Sequence, residues 1–263
     1  MNANNQNAIL LREQANGIVT LTLNRPGARN ALSTKMMHAL QAELDSLRDD
    51  KSARVVVLAA NGPAFCAGHD LKEIRANPTR VLYERLIADC ERLMLSITRL
   101  PQPVIAAVHG IATAAGCQLV ATCDLAIAAE TAKFATPGVH IGLFCSTPAV
   151  PLSRTVGKKH AMEMLLTGDM ADAETAFRFG LVNEVVPAAE LDAAVARMAG
   201  KIASKSPLTL AIGKESFYRQ IDLPLAEAYR HAGTAMIRNL MARDAEEGID
   251  AFIQKREPVW SGE

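Results

Sequence analysis

Apolar residues recur along this chain in two periods. Val19, Leu21 and Leu23 alternate with Thr20 and Thr22, the two-residue period of a strand with one covered face. An Asn16-Gly17 pair separates them from "AILLREQA", and that dipeptide between extended segments predicts a hairpin. Behind Ser33, a capping residue type, Met36, Leu40, Leu44 and Leu47 fall at helical spacing. "ARVVVLAA" (53–60) is a short β-branched run, the mark of a strand covered on both faces.

The order then repeats. A helix is predicted over 79–100, with Leu82, Leu86, Cys90, Leu93 and Ile97 on one side, followed by strands at "VIAAVH" (104–109), "CDLAIAAE" (123–130) and "LVNEVV" (181–186). Strand, helix and strand in alternation imply α/β architecture with right-handed crossovers. Beyond Ala188 the period is almost wholly helical, with one helix starting at Pro207. Leu225, Tyr229, Met236 and Leu240 form an apolar stripe that needs cover, another copy of the chain included. The expected organisation is a core over 1–200 and a helical region over 201–263 that packs on its own or a neighbouring subunit. The polar start "MNANNQN" is the one stretch expected to lack order.

Composition narrows the partners. Among 263 residues, 28 Lys and Arg balance 28 Asp and Glu, and their scatter leaves no basic patch for nucleic acid or an anionic membrane. No stretch reaches the roughly 18 apolar residues of a membrane span, and the first residues lack the order of a signal peptide, so a cytoplasmic protein with a small-molecule partner is expected. Five cysteines without a C-x-x-C pair argue against a disulfide framework and a zinc site. They read as small core hydrophobes, Cys145 being the candidate exception.

Two loops each follow a strand and open a helix: "NGPAFCAGHDLKE" (61–73) and "HGIATAAGCQ" (109–118). Ligands of open α/β sheets bind outside the carboxyl ends of the strands, and the first amides of a helix have no intrahelical acceptor. Small residues at Ala67, Gly68, Ala114, Ala115 and Gly116 let a substrate carbonyl approach the backbone. One N–H from each loop, converging on one oxygen, would make an oxyanion hole for a developing enolate. Neither loop carries a phosphate-binding glycine pattern.

These motifs, with "LNRPGARNALS" near the start and "FGLVNEVVP" further on, resemble the crotonase superfamily, also called the enoyl-CoA hydratase/isomerase family, over essentially the whole chain. "FATPGVHIGLFCSTPAV" and "EEGIDAFIQKREPVWS" are similar to one branch of it, the enoyl-CoA hydratase domain-containing protein 3 group. The resemblance implies a spiral of ββα units with a C-terminal helical trimerisation region, a homotrimer or dimer of trimers, and an acyl-CoA thioester as substrate. It implies no metal or redox cofactor, coenzyme A entering as part of the substrate. Carried over by motif, the oxyanion-hole amides fall on His69 and Ala115, and CoA contacts on Arg29, Ala67, Asp70, Leu71, Lys72, Phe252 and Lys255. Arg29, Lys72 and Lys255 suit the CoA phosphates by charge, and Asp70 also reads as a helix N-cap. The "AGHD" string, shared with a decarboxylating branch of the superfamily, leaves the His69 imidazole a second candidate role.

The family pattern breaks at two places. Hydratases of the family move protons with two glutamates, which align with Gln118 and Gly138. Gln118 keeps the reach of Glu and can orient water or an acyl group, but it cannot ionise, and Gly138 can do neither. Each positioned acid or base contributes about 10²–10⁴ in rate, so water addition is expected to be weak or nil. His140 is the candidate replacement, since imidazole titrates near neutrality. The resulting expectation is an enzyme of the lyase or isomerase kind that stabilises a thioester enolate. The alternatives are a malonyl-type decarboxylase, a thioesterase, or a catalytically silent acyl-CoA binder.

Overall fold

The computed structural model describes residues 8–263, so the expectation for "MNANNQN" lies outside the described residues. Strands β1 (Leu10–Ala15) and β2 (Ile18–Leu23) form the hairpin about Asn16 and Gly17, both at positive φ. Strands β3 (Val55–Ala60), β5 (Val104–Val108), β7 (Leu125–Ala129) and β10 (Glu184–Val186) extend it in parallel, in the order β1-β2-β3-β5-β7-β10. A second sheet runs β4-β6-β8-β9, from β4 (Ala64–Cys66), β6 (Ile111–Thr113), β8 (Lys133–Ala135) and β9 (Ala171–Asp172).

The helices are α1 (Thr34–Leu47), α2 (Leu71–Ala76), α3 (Arg80–Arg99), α4 (Ala115–Thr122), α5 (Ser146–Thr155), α6 (Lys158–Thr167) and α7 (Ala173–Phe179). After them come α8 (Leu191–Ala203), α9 (Pro207–Gln220), α10 (Leu225–Leu240) and α11 (Arg243–Gln254). Each of β3, β5 and β7 is followed by a short strand of the second sheet and then, directly or through a short 3₁₀ turn, by a helix. This is the repeated ββα unit of a crotonase-type fold.

The apolar runs are explained by cover on both faces of the larger sheet. Val56, Leu58, Val104 and Ala106 pack with Leu40, Leu44 and Leu93 of α1 and α3. Their neighbours Val55, Val57, Ile105 and Ile127 pack with Leu191, Val195 and Ala199 of α8. Ser33 and Thr79 cap α1 and α3 through their hydroxyls, which sets both helix starts where the sequence places them. "LVNEVV" is strand only from Glu184, because Asn183 turns its side chain back to accept the Ala126 N–H at 2.8 Å.

One polar cluster fastens α9 against the body of the fold. The Lys214 ammonium on α9 meets Asp124 at 2.6 Å and the Ile97 and Gln102 carbonyls at 2.9 Å each. Tyr218 donates to the other Asp124 oxygen at 2.9 Å. Helix α10, by contrast, buries none of its residues in this chain, and Leu225, Tyr229, Met236 and Leu240 are all exposed.

Candidate active site

The two bare loops prove to be partly strand. Strand β4 lies within the first and β6 within the second, and they pair in parallel with Cys66 opposite Ala112. That pairing brings Gly68 against the start of α4. A Cβ on Gly68, which sits at φ +94°, would come within 2.9 Å of the Ala114 Cβ and 3.1 Å of the Thr113 carbonyl. A Cβ on Gly116 would fall 2.1 Å from the Cys66 carbonyl oxygen. Both glycines are therefore required by close approach of one loop to the other.

His69 and Ala115 each present an N–H from this junction. His69 forms an isolated parallel bridge with Leu32, in which the Leu32 N–H donates to the Gly68 carbonyl and the Asp70 N–H to the Leu32 carbonyl. The residue at the centre of such a bridge turns its own N–H to the opposite side. Ala115 is the first residue of α4, where the N–H has no intrahelical acceptor. The preceding Ala114 is held at φ 51°, ψ −118°, and its own N–H donates to the Ala135 carbonyl at 2.9 Å. A non-glycine residue in that region costs about 1–3 kcal/mol and persists only where its surroundings enforce it.

Around the first loop the structure gathers Arg29, Ala67, Asp70, Leu71 and Lys72. The Arg29 carbonyl accepts the Ala67 N–H at 3.1 Å, and the Arg29 and Lys72 side chains are exposed. Asp70 caps α2 by accepting the Lys72 and Glu73 amides. It also pairs with Arg25 at 2.7 Å, and that guanidinium, ahead of the two amides, holds its carboxyl below the ordinary range. Phe252 and Lys255 stand on and just beyond α11, away in the C-terminal helices, and both are exposed.

The His69 imidazole lies with Nδ1 3.4 Å from the Leu32 carbonyl, while Nε2 is buried without a partner among the described residues. Burial lowers its pKa, against the smaller opposing effects of the Leu32 carbonyl and of Glu73, which favours the neutral ring. Gln118 is buried, its carbonyl oxygen facing the Cys90 thiol at 3.9 Å. His140 is exposed beside Gly168 at the end of α6. His38 and His160 are exposed as their helix positions suggest, whereas His231 is half-buried, its Nε2 without a partner among the described residues.

Beyond Ala135, whose carbonyl accepts the Ala114 N–H, the chain enters the corner 136–146. Gly138 is buried in a 3₁₀ turn, Pro137–Ile141, and a Cβ there would meet the Leu143 carbonyl oxygen at 2.5 Å and the Cys145 Sγ at 2.9 Å. The place of a side chain at 138 is thus filled by the chain's own atoms. All five cysteines are free and buried, Cys145 included. Burial pushes the Cys66 and Cys117 thiols up to about 12. Among the described residues no group of three or more His, Cys, Asp or Glu stands together as a metal site, and no helix is long and apolar enough to cross a membrane.

Sequence reasoning missed the residue that organises the first loop. Asn30, fully buried at φ 53°, donates to the Asn61 and Ala64 carbonyls at 2.8 Å each and accepts the Arg25 N–H at 2.8 Å. Glu73 likewise ties α2 to α1 by accepting the Thr34 N–H and hydroxyl. A buried amide pairing with three backbone groups gives no local periodicity; its one signal is a polar residue just before an apolar helix.

Comparison with known proteins bears on the family and the fold. The family described as enoyl-CoA hydratase/isomerase matches residues 13–263. The chain is 47% identical to human enoyl-CoA hydratase domain-containing protein 3, mitochondrial, over 95% of its own length and 82% of the relative's, and 46% identical to the rat protein of that name over 94% and 83%. The solved structure of human enoyl Coenzyme A hydratase domain-containing protein 3 superimposes with a TM-score of 0.94 at 45% identity, covering 96% of this chain and 100% of that one. An enoyl-CoA hydratase structure from Mycobacterium smegmatis gives 0.95 at 55% identity, over 96% and 99%. The expected cytoplasmic location is overturned by the names of the human and rat relatives, which are mitochondrial; the residues at the start of the chain were a poor guide to compartment.

Proposed function

The chain belongs to the enoyl-CoA hydratase/isomerase family, and from that premise we propose that it binds an acyl-CoA thioester and stabilises its enolate on the His69 and Ala115 amides. The observation that carries this reading is the junction of the two loops. Gly68 and Gly116 leave no room for a side chain, and Ala114 is kept at positive φ at the head of α4. Strained backbone of the kind held at Ala114 clusters at ligand and active sites. Two amides aimed at an oxygen in a site of low polarity are each worth about 10²–10³ in rate.

The rest of the site decides which enolates can form. Neither Gln118 nor Gly138 can take a proton from water, and His140 stands beside Gly168. A malonyl-type thioester needs no such base. Its bond between the α-carbon and the carboxylate breaks, CO₂ leaves, and the electron pair becomes the enolate whose oxygen the amides hold; the carbon then takes a proton. Arg29 and Lys72 flank the loop as charges for the CoA phosphates. Lys255 and Phe252 would reach the ligand of a neighbouring copy in a trimer or dimer of trimers. The exposed apolar face of α10 supports that assembly.

A panel of 2-enoyl, 3-enoyl, 3-hydroxy, malonyl and methylmalonyl thioesters, followed by mass spectrometry, tests the proposal. Loss of CO₂ from a malonyl-type thioester, with slow or absent water addition to the 2-enoyl compound, is the expected result. Fast hydration would overturn the base-free reading. Tight binding with no product from any thioester would overturn catalysis and leave an acyl-CoA binder.

A further inference from the structure

The segment 29–32 is the seat of the first loop. The Ala67 N–H donates to the Arg29 carbonyl at 3.1 Å, the Leu32 N–H to the Gly68 carbonyl at 2.8 Å, and the Asp70 N–H to the Leu32 carbonyl at 3.4 Å. The His69 ring adds a fourth tie, its Nδ1 lying 3.4 Å from that same Leu32 carbonyl. A carbonyl oxygen can only accept, so Nδ1 carries the proton of the neutral ring and Nε2 keeps a lone pair. That Nε2 is buried, with no partner among the described residues.

The surroundings offer no ready acceptor for a second ring proton. The charge the ring feels among the described residues is that of Glu73, whose two oxygens already accept the Thr34 N–H, at 3.0 Å, and the Thr34 hydroxyl. The adjoining Asp70 is engaged by Arg25 and by the Lys72 and Glu73 amides. A proton added at Nε2 would therefore create a buried charge and a buried donor without an acceptor, and each is costly. From this geometry we propose that the His69 ring is a proton-sensitive latch on the first loop: neutral, it seats 67–70 on 29–32, and protonated, it turns out to water and the loop parts from Leu32. The lowered pKa of the buried ring agrees with that direction. Because the loop carries the His69 amide, acid loosens the oxyanion hole on the acyl-CoA reading above. The latch itself does not need that reading, and its test uses the protein alone.

A histidine open to water titrates near 6.5, and the closed loop holds the ring with fewer protons than the open loop does. Seating is thus fullest above about pH 6.5 and weakens as pH falls, by up to about tenfold from about pH 7.5 to about pH 5.5. Amide hydrogen exchange, corrected for its intrinsic pH dependence, reads this change. Protection of the Leu32, Ala67 and Asp70 N–H groups is expected to fall about threefold or more over that interval, with the ring's own NMR titration midpoint below about 6.5. The Val56 N–H, which donates to the Pro103 carbonyl at 2.9 Å, is expected to keep its protection. His69→Asn, whose amide can reach the Leu32 carbonyl from the place of Nδ1 and does not titrate, is expected to hold loop protection constant with pH. An equal fall in His69→Asn overturns the proposal, since another group then carries the effect. If His69→Asn does not fold, the unmodified protein decides: loop protection that ignores pH, a fall matched at Val56, or a ring midpoint at or above about 6.5 each overturns it.

Discussion

The two sides of the site solve opposite problems with similar residues. On the side of the two bare loops, 66–70 and 113–116, glycine lets the loops touch, and Ala114 is held at positive φ. On the other side, 136–146, glycine is used because other atoms of the chain already occupy the space, and Leu143 and Cys145 close over it. The contrast shows that a small residue carries no meaning until its neighbour is known. Gly116 and Gly138 are both buried, yet one lets the head of α4 rest against β4 and the other marks where a side chain has been excluded.

The largest expected effect breaks the first side. In Gly116→Ala the new methyl lies 2.1 Å from the Cys66 carbonyl oxygen, with the Cys66 carbonyl carbon at 2.8 Å and its Cβ at 2.9 Å. Backbone cannot swing aside as a flexible side chain can, so α4 and β4 must part. Destabilisation above about 4 kcal/mol is expected, the range kept for severe packing faults. Thermal unfolding would show it as a loss of the folded transition or a fall in Tm of more than about 8 °C. A variant as stable as the parent would mean that the two loops are not held this closely.

A smaller effect is expected on the second side, and it sharpens the contrast. Gln118→Glu with Gly138→Glu restores both family acids in name, yet the side chain at 138 must displace the Leu143 carbonyl and the Cys145 thiol. Overpacking of this kind costs about 1–3 kcal/mol, and the turn around 143 is better able to yield than the junction of α4 with β4. The carboxyl introduced at position 118 would also be buried, facing the Cys90 thiol rather than a cation, which favours its neutral form. Crotonyl-CoA hydration by the double variant is therefore expected to stay within about tenfold of the parent, below one restored acid–base group. A gain of a hundredfold or more would show that the corner opens to admit a working glutamate.

Much of the scaffold was legible because its signals are local. The run at 55–58 and the stripe from Met36 to Leu47 carry their own periods, and Ser33 and Thr79 announce their helices. The pairing of β4 with β6 was not legible, since three-residue strands inside glycine-rich loops have no period and their bonds join residues about 46 apart. Neither was the Asp124, Lys214 and Tyr218 network, in which Asp124 lies about 90 residues from its partners. Within the site, the sequence marked both loops as bare and aligned Gly138 with a missing acid. That Leu143 and Cys145 fill the vacated place follows from how 139–145 folds back, which residue type alone does not encode.

The smallest effect tests whether strain is what separates the two sides. Ala114→Gly removes a Cβ from a residue at φ 51°, ψ −118°, relieving about 1–2 kcal/mol of backbone strain. It also gives the unfolded chain more freedom, which offsets about 0.4–1 kcal/mol of that gain. The net expectation is a protein more stable by about 0.5–1 kcal/mol, a rise in Tm of about 1–4 °C at this size. The site should move the other way. The Ala114 methyl lies where it blocks any side chain at 68, and with it gone the head of α4 is less constrained, so acyl-CoA affinity is expected to fall a fewfold while CoA affinity holds. Higher stability with weaker acyl binding would show that strain at Ala114 serves to position the Ala115 amide. Higher stability with unchanged binding would show that the pairing of β4 with β6 positions it unaided, and the two sides of the site would then differ in packing alone.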